Sequence, residues 1–327
     1  MGIALLALLI AEQPLFKSLA VSSLTLSIIV GIVLGNSIFP KIARQTGDGV
    51  DFTRNYLLRL GVILFGFKVT FQQIIDIGLM GLFIDIIIVI SVFSTAYLLG
   101  TRLLKLDKET SILIGAGSSI CGAAAILATE PLIKAQAHKI SVAIATVVVF
   151  GTLSMFLYPV LYPYLHLSDH LYGIYVGSTV HEVAQVAGAG MAISEEAAKS
   201  AIIEKMLRVM MLVPFLFFIA SFVIRTRPGG EIGNPSGISV PWFAILFVVM
   251  AGINSLAIVP NQIVHSLIWL DNLLLTMAMG ALGLRTHLST VKQAGFKPLV
   301  LALILFLLLT IGGYLINMLF MHGVMLS

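Results

Sequence analysis

Four polar side chains interrupt an otherwise apolar stretch near the middle of the chain. They are Ser178, His181, Glu182 and Gln185, within the run Gly177-Ser-Thr-Val-His-Glu-Val-Ala-Gln-Val-Ala-Gly-Ala-Gly190. Their i, i+3, i+4 and i+7 spacing predicts one shared face of a helix. Ionisable groups in such surroundings usually face a cavity or each other. We expect Ser178 and Gln185 to bind a ligand, and Glu182 to exchange protons with His181 as its partner or as a direct ligand. A structural polar cluster that joins two helices is the alternative.

A second run, Gly115-Ala-Gly-Ser-Ser-Ile-Cys-Gly-Ala-Ala-Ala125, combines glycine with small hydroxyl and thiol side chains. Its glycines weaken helix propensity and predict a break in the helix. A half-helix that begins at such a break offers free amides and a positive dipole end, which suit an anion. Close helix packing by small residues is the alternative. The predicted anion-binding residues are Gly117, Ser118, Ser119, Cys121 and Gly122.

Neither run completes a catalytic motif. A zinc peptidase would need a second histidine four residues after His181, where Gln185 stands. The chain has no Gly-x-Ser-x-Gly run, and its single cysteine allows neither an internal disulfide nor a cysteine-rich metal site. The sequence therefore predicts no catalytic residues, no metal, no cofactor and no enzymatic activity.

The composition defines the elements that must position these residues. The chain has 327 residues, of which 59% are apolar and 10% charged, and its mean hydropathy is +1.06. A soluble domain would have about 25% charged residues. The apolar residues form blocks of roughly twenty, which fit membrane-spanning helices, whereas a β-barrel would show shorter strands of alternating polarity. We predict an all-α integral membrane protein with a single domain over residues 1–327.

About nine to eleven transmembrane helices are expected, joined by connections too short for a soluble domain. The eleven apolar segments are 2–12, 18–38, 54–75, 78–101, 109–130, 139–164, 171–192, 199–224, 240–259, 263–287 and 295–320. Breaks are expected from Pro40 to Asp51 and from Arg225 to Pro241. Most lysines and arginines fall on one side of this arrangement, which predicts a multi-pass protein with a cytoplasmic N-terminus.

An internal repeat is expected between two distant parts of the chain. The run Gly66-Phe-Lys-Val-Thr-Phe-Gln-Gln-Ile74 aligns without a gap with Gly283-Leu-Arg-Thr-His-Leu-Ser-Thr-Val291. The copies lie an odd number of segments apart, so they cross the membrane in opposite directions. This pattern is typical of the inverted repeats of secondary transporters.

A second repeat relates the two polar runs, because Gly117-Ser-Ser-Ile-Cys121 matches Gly177-Ser-Thr-Val-His181. The copies are parallel if both segments span the membrane. They are inverted if segments 109–135 and 168–198 dip into the membrane and return. Re-entry gives a cleaner asymmetry of basic residues and is favoured on that ground.

Other charges within the apolar segments receive simpler interpretations. Glu204 and Arg208, spaced i, i+4, are expected to pair along one helix. Arg59, Asp85 and Asp271 are expected to extend toward the membrane interface.

The runs Gly115 to Pro131 and Val180-His-Glu-Val-Ala-Gln-Val186 resemble the YeiH-type family of bacterial inner-membrane proteins, whose members are commonly labelled sulfate exporters. The resemblance extends to Leu57 to Phe67 and Met279 to Arg285 and covers nearly the whole chain. It implies a bundle of about ten or eleven helices related to the sodium/proton-antiporter and bile-acid-transporter folds. Crossing discontinuous helices would form the site in that fold.

These observations predict a secondary active transporter of the bacterial inner membrane. Its substrate is expected to be a small oxyanion such as sulfate or a sulfonate, with proton coupling through Glu182 and His181. Sodium-coupled transport of another metabolite and a passive channel are the alternatives. The lipid bilayer is the expected environment. A homodimer is left open, and the scattered basic residues indicate no nucleic-acid partner.

Overall fold

The computed structural model describes residues 1–13, 23–226, 242–286 and 295–325. These ranges contain helices and no strand, so the expected all-α fold is confirmed. Within the same ranges, four helices are long and apolar enough to cross a bilayer: Phe71–Leu103, His138–Leu165, Asn261–Arg285 and Phe296–Phe320. The start of the predicted segment 18–38 and the end of the run Gly283 to Val291 lie outside the described residues.

The first part of the chain forms four short helices. They are α1 (Gly2–Ala11), α2 (Ser23–Ser37), α3 (Phe39–Phe52) and α4 (Leu58–Phe65). Helix α3 replaces the break that the sequence predicted from Pro40 to Asp51. It is amphipathic, with Phe39 and Gly47 buried and Lys41 exposed. Hydropathy alone treats such a helix as a loop because its charged face lowers the average.

Helix α5 (Phe71–Leu98) continues through a wider turn to Leu103. Thr70 caps its start, because Gln73 N donates to Thr70 Oγ1 at 3.3 Å and Thr70 N donates to Gln73 Oε1 at 3.0 Å. This reciprocal cap fixes the helix start. The predicted boundary between segments 54–75 and 78–101 was therefore wrong, since the helix runs uninterrupted through Gly78.

Both polar runs form broken helical hairpins. Hairpin 1 consists of α6 (Lys108–Ser119) and α7 (Ala123–Ile133). The long helix α8 (Ala137–Leu165) follows, and hairpin 2 consists of α9 (Asp169–Thr179) and α10 (Val183–Met191). The breaks fall at equivalent positions of the two aligned runs, as the second repeat predicted.

Hairpin 1 enters and leaves on the same side of the bundle. Lys139, at the start of α8, lies 2.9 Å from Asp107 Oδ1 and 3.0 Å from Glu109 Oε2, at the start of α6. A straight path through α6 and α7 would place these groups far apart, since each residue of helix adds about 1.5 Å. The segment is therefore re-entrant.

Hairpin 2 enters from the opposite side. Its first residues lie beside the segment that follows it. The Ser194 side chain makes a hydrogen bond with the Asp169 carboxylate, and His170 Nδ1 lies 2.8 Å from Ser200 Oγ. Helix α8 has 29 residues, a length of about 43 Å, and separates the two entry points. The structure thus selects the re-entrant, inverted arrangement over two parallel spans.

The rest of the chain forms the remaining helices. They are α11 (Glu195–Met210), α12 (Leu212–Thr226), α13 (Trp242–Ser255), α14 (Asn261–Arg285), α15 (Phe296–Leu307) and α16 (Gly313–Met325). A wider turn, Leu308–Gly312, joins α15 and α16 into one continuous helix. Pro214 divides the predicted segment 199–224 into α11 and α12. It has no N–H for the carbonyl of Met210.

Two reciprocal ion pairs show that α4 and α14 run antiparallel. Arg285 Nε donates to Asp51 Oδ1 at 2.8 Å at one end. Lys68 Nζ lies 2.9 Å from Asp271 Oδ2 at the other. The two cations end the aligned runs Gly66-Phe-Lys68 and Gly283-Leu-Arg285, so the described parts of the first repeat are inverted. Asp271 is fully buried, and its predicted extension toward the interface was wrong because Lys68 neutralises it within the bundle.

Candidate functional site

The two hairpin tips meet inside the bundle, and Gly122 shapes their contact. Gly122 precedes α7 with φ +67° and ψ −132°, a conformation that strongly favours glycine. A Cβ at this position would lie 2.6 Å from Cγ of Glu182 on the other tip. The glycine predicted for the anion site therefore permits the close approach of the two tips.

The polar residues of hairpin 2 do not share one continuous helical face. Helix α9 ends at Thr179, and Val180 and Glu182 have extended backbone. Ser178, at the end of α9, accepts a hydrogen bond from Asn317 Nδ2 at 3.1 Å. Gln185 Oε1 instead accepts from Glu182 N at 3.0 Å. The predicted stripe was wrong because the break turns α10 relative to α9.

Glu182 lies at the amino ends of two half-helices at once. It precedes the first residue of α10, and its Oε1 also accepts a 3.5 Å hydrogen bond from Ala123 N at the start of α7. Each helix amino end carries roughly +0.5 of a charge, so two of them balance about one carboxylate. The anion position that the sequence placed at the break is thus filled by the protein's own carboxylate.

A cavity of about 100 Å³ opens beside Glu182. The hairpin tips form one wall and the antiparallel helices α4 and α14 form another. Arg54 and Arg59 line it, and the Arg59 guanidinium lies 5.9 Å from the centre of the Phe243 ring. The full lining is Arg54, Asn55, Leu58, Arg59, Val62, Cys121, Ala123, Ala124, Glu182, Val183, Ala184, Phe243, Ala278 and Leu282. The cavity combines two cations and one carboxylate with apolar walls, which suits a small anion.

Only part of the predicted site borders this cavity. Cys121 and Glu182 line it, and Gly122 positions Glu182. The other predicted residues do not line it: Gly117, Ser118, Ser119, Ser178, His181 and Gln185. His181 is 2% exposed, and its Nδ1 has no hydrogen-bond partner in the described part of the chain.

Ser118 and Ser119 lie at the carboxyl end of α6 rather than at an amino end. The Ser119 hydroxyl donates to Ala116 O at 3.4 Å, within its own helix. The sequence located the break but not which side of it would face a cavity. Arg54 was not singled out from the sequence, and Arg59 was expected only to extend toward the interface, because basic residues near a predicted helix start are common.

Two buried cations hold the carboxyl ends of the half-helices. Lys205 Nζ donates to Ile120 O at 2.8 Å and to Val180 O at 2.7 Å. These carbonyls occupy equivalent positions in the two aligned runs. One side chain of α11 therefore bonds both hairpin tips in the same way.

Arg208, one turn further along α11, repeats this arrangement. Its Nε donates to Ser119 O at 2.7 Å, and its terminal nitrogens donate to Ser118 O, at 3.3 Å, and to Ser178 O. Cations at helix carboxyl ends offset the negative ends of the dipoles. The expected pairing with Glu204 was wrong, because the closest carboxylate is Asp85, 3.9 Å from Arg208 Nε.

The fold and this site define a helical membrane protein with two opposed re-entrant hairpins. Their tips meet between Glu182 on one face and two buried cations on the other. The chain belongs to the family described as Conserved hypothetical protein 698, whose model matches residues 1–302.

Close relatives agree with this assignment. The chain is 54% identical to the UPF0324 inner membrane protein YeiH of Escherichia coli K12, over 93% of this chain and 87% of that protein. It is 50% identical to a UPF0324 membrane protein of Yersinia pestis, over 97% and 90% of the two chains. The predicted family is therefore confirmed. No solved structure matches the chain, so the relation to the antiporter and bile-acid-transporter folds stays a prediction.

Proposed function

We propose that this chain is a secondary transporter of a small anion in the bacterial inner membrane, with proton coupling through Glu182. The observation that carries the proposal is the position of the Glu182 carboxylate. It lies at the amino ends of two half-helices, on the wall of a cavity that also holds Arg54 and Arg59. An oxyanion such as sulfate or a sulfonate needs the same amides.

The coupling follows from competition for those amides. Ionised Glu182 balances the two helix amino ends and repels a second anion. Protonated Glu182 no longer balances them, which leaves their positive ends for the substrate, while Arg54 and Arg59 provide further attraction. One proton and one anion therefore bind together. Their release is also joint, since the carboxylate regains the amides when the anion leaves.

Alternating access would use the inverted arrangement of the fold. The hairpins enter from opposite sides, and the cavity lies between their tips and the α4–α14 pair. Movement of the hairpins against that pair would expose the cavity to each side in turn. The proposal keeps the N-terminus in the cytoplasm, in accord with the distribution of basic residues.

Transport into proteoliposomes tests the proposal. We expect sulfate or a simple alkylsulfonate to enter faster when an inward-directed proton gradient is imposed. Glu182→Gln, which mimics the protonated side chain, should keep anion binding but lose its dependence on pH. Glu196→Gln, at an exposed position of α11, is the matched control and should behave like the wild type.

The outcomes separate the rival functions. Uptake that ignores the proton gradient but requires sodium would indicate sodium coupling, and uptake that ignores both gradients would indicate a passive channel. Chemical conversion of the solute would indicate an enzyme, which the proposal excludes. The proposal requires no cofactor and no nucleic-acid partner, and it holds for a monomer or a homodimer.

Cys121 provides an independent probe of the cavity, since it is the single cysteine of the chain and lines that cavity. A bound anion should slow the reaction of Cys121 with a small methanethiosulfonate reagent. The same protection should weaken in Arg54→Gln and Arg59→Gln. Unchanged labelling at saturating concentrations of every oxyanion tested would remove the anion from this cavity.

A further inference from the structure

Four charged side chains lie together on the face of the tips that is turned away from the cavity. Asp85 from α5 and Glu204, Lys205 and Arg208 from α11 are all 0% exposed. None of them lines the cavity beside Glu182. Buried charges are costly unless they are paired, so the balance of charge in this cluster determines its protonation.

The two cations direct their donors to backbone carbonyls rather than to the two acids. Lys205 and Arg208 together bond the carbonyls of Ile120, Val180, Ser119, Ser118 and Ser178. The nearest approach of a cation to Asp85 is 3.9 Å. Both carboxyl oxygens of Asp85 lack a hydrogen-bond partner within the described ranges.

Glu204 is more isolated than Asp85. Both of its carboxyl oxygens also lack a partner among the residues that the structure describes. Its Oε2 lies against Gly81, where a Cβ would be only 2.0 Å away. Gly81 is one turn before Asp85 on α5, so the two carboxyl groups face the same short stretch of that helix.

The charges can be counted. Two half-helix carboxyl ends contribute about −1 in total, since each carries roughly −0.5. Lys205 and Arg208 contribute two positive charges. About one further negative charge is needed, whereas two ionised acids would supply one too many.

We propose that Asp85 and Glu204 form a proton-binding site that carries a single proton, with Glu204 as the protonated member. Asp85 is the ionised member because its Oδ1 lies 3.9 Å from Arg208 Nε, the nearest approach of a cation to either acid. The charged groups that face Glu204 are Asp85 from α5 and Lys205 and Arg208 from its own helix, while α9 presents Gly177. A metal ion is disfavoured here, because two fixed cations already occupy the cluster. The inference does not depend on whether the chain transports an anion.

The test is a double-mutant comparison with an infrared readout. If one negative charge is required and either acid can supply it, Asp85→Asn and Glu204→Gln should each keep a thermal midpoint near that of the wild type. The double variant would leave an unbalanced positive charge and should lose far more than the sum of the two single changes. The wild type should also show the carbonyl stretch of a buried, slowly exchanging carboxylic acid. That band should vanish in both single variants and remain in Glu182→Gln.

The other results would overturn the site. Additive losses in the double variant would mean that the acids titrate independently, and a stable double variant would mean that neither is ionised. A single variant that fails to fold would show that its carboxyl group cannot be replaced by a neutral isostere, which contradicts a shared proton. The absence of the infrared band in the wild type would contradict it directly.

Discussion

Removal of the Arg208 side chain should weaken the attachment of the hairpin tips to α11, which Lys205 alone would then hold. In Arg208→Met the hydrogen bonds to the carbonyls of Ser118, Ser119 and Ser178 are lost. At the membrane-protein average of about 0.6 kcal/mol per bond, the loss is about 2 kcal/mol. At about 1.5 kcal/mol for a charged donor it approaches 5 kcal/mol. We expect a decrease in unfolding free energy between these values, because methionine fills much of the volume but satisfies no carbonyl.

The measurement is thermal unfolding in detergent combined with hydrogen exchange of the two tips. Exchange should accelerate at residues 117–122 and 177–182 and stay unchanged in α8. Arg208→Lys should be intermediate, because an ammonium cannot reproduce the planar fork of a guanidinium. Arg102→Met, at an exposed position, is the control. If Arg208→Met and Arg102→Met unfold at the same temperature and the hydrogen exchange of the tips is unaltered, Arg208 does not hold the tips, and the proposed geometry fails.

Three further predictions concern other contacts of the fold. Gly122→Ala should lower the free energy of unfolding by about 1–3 kcal/mol through its backbone conformation. It should also displace Glu182, since the new Cβ would lie 2.6 Å from Glu182 Cγ. Denaturation measures the first effect and pH-dependent uptake measures the second, which uptake like that of the wild type would contradict. Lys68 and Asp271 form a buried ion pair, so removal of either partner should cost about 3–5 kcal/mol. Removal of a partner from the more exposed pair Arg285–Asp51 should cost about 1 kcal/mol or less. Unfolding of the four single variants measures these costs, and equal values for the two pairs would refute the contrast. Partial burial opposes the charge of Asp107, but hydrogen bonds from Thr110 and Lys139 outweigh it and hold the pKa of this carboxyl below its usual range. The Asp107–Lys139 pair should therefore stabilise hairpin 1 at neutral pH and lose that effect as the pH falls through the folded-state pKa. Asp107→Asn should remove this acid dependence, which thermal scans against pH would detect.

The breaks in the helices could be predicted from the sequence because their cause is local. Glycines and small residues near Gly122 weaken the helix, and the aligned run near Gly177 showed that the pattern occurs twice. The reciprocal cations Lys68 and Arg285 likewise marked the ends of inverted elements. Such features depend on backbone propensity and periodicity, which single-sequence reasoning can detect.

The same reasoning failed where the answer depends on which elements meet. Asp85 and Asp271 were expected near the interface, yet both are fully buried beside cations from distant parts of the chain. Ser118 and Ser119 were expected to bind an anion, but their carbonyls serve Arg208 instead. Arg54 and Arg59 gained significance only when α4 and the wider turn before it, Thr53–Leu57, were packed against the tips. No local pattern encodes these partners.

The arrangement of charge differs between the two faces of the tips, and the proposed function assigns transport to one face and attachment to the other. Both carboxyl ends are held by Lys205 and Arg208, which donate hydrogen bonds to several of their carbonyls. Both amino ends are balanced by one carboxylate, Glu182, on the wall of a cavity. A carboxylate can be neutralised by a single proton, whereas an arginine guanidinium cannot readily lose one. Under the proposed function, the exchangeable charge at the amino ends is that of Glu182, and an anion would bind these ends when that charge is absent.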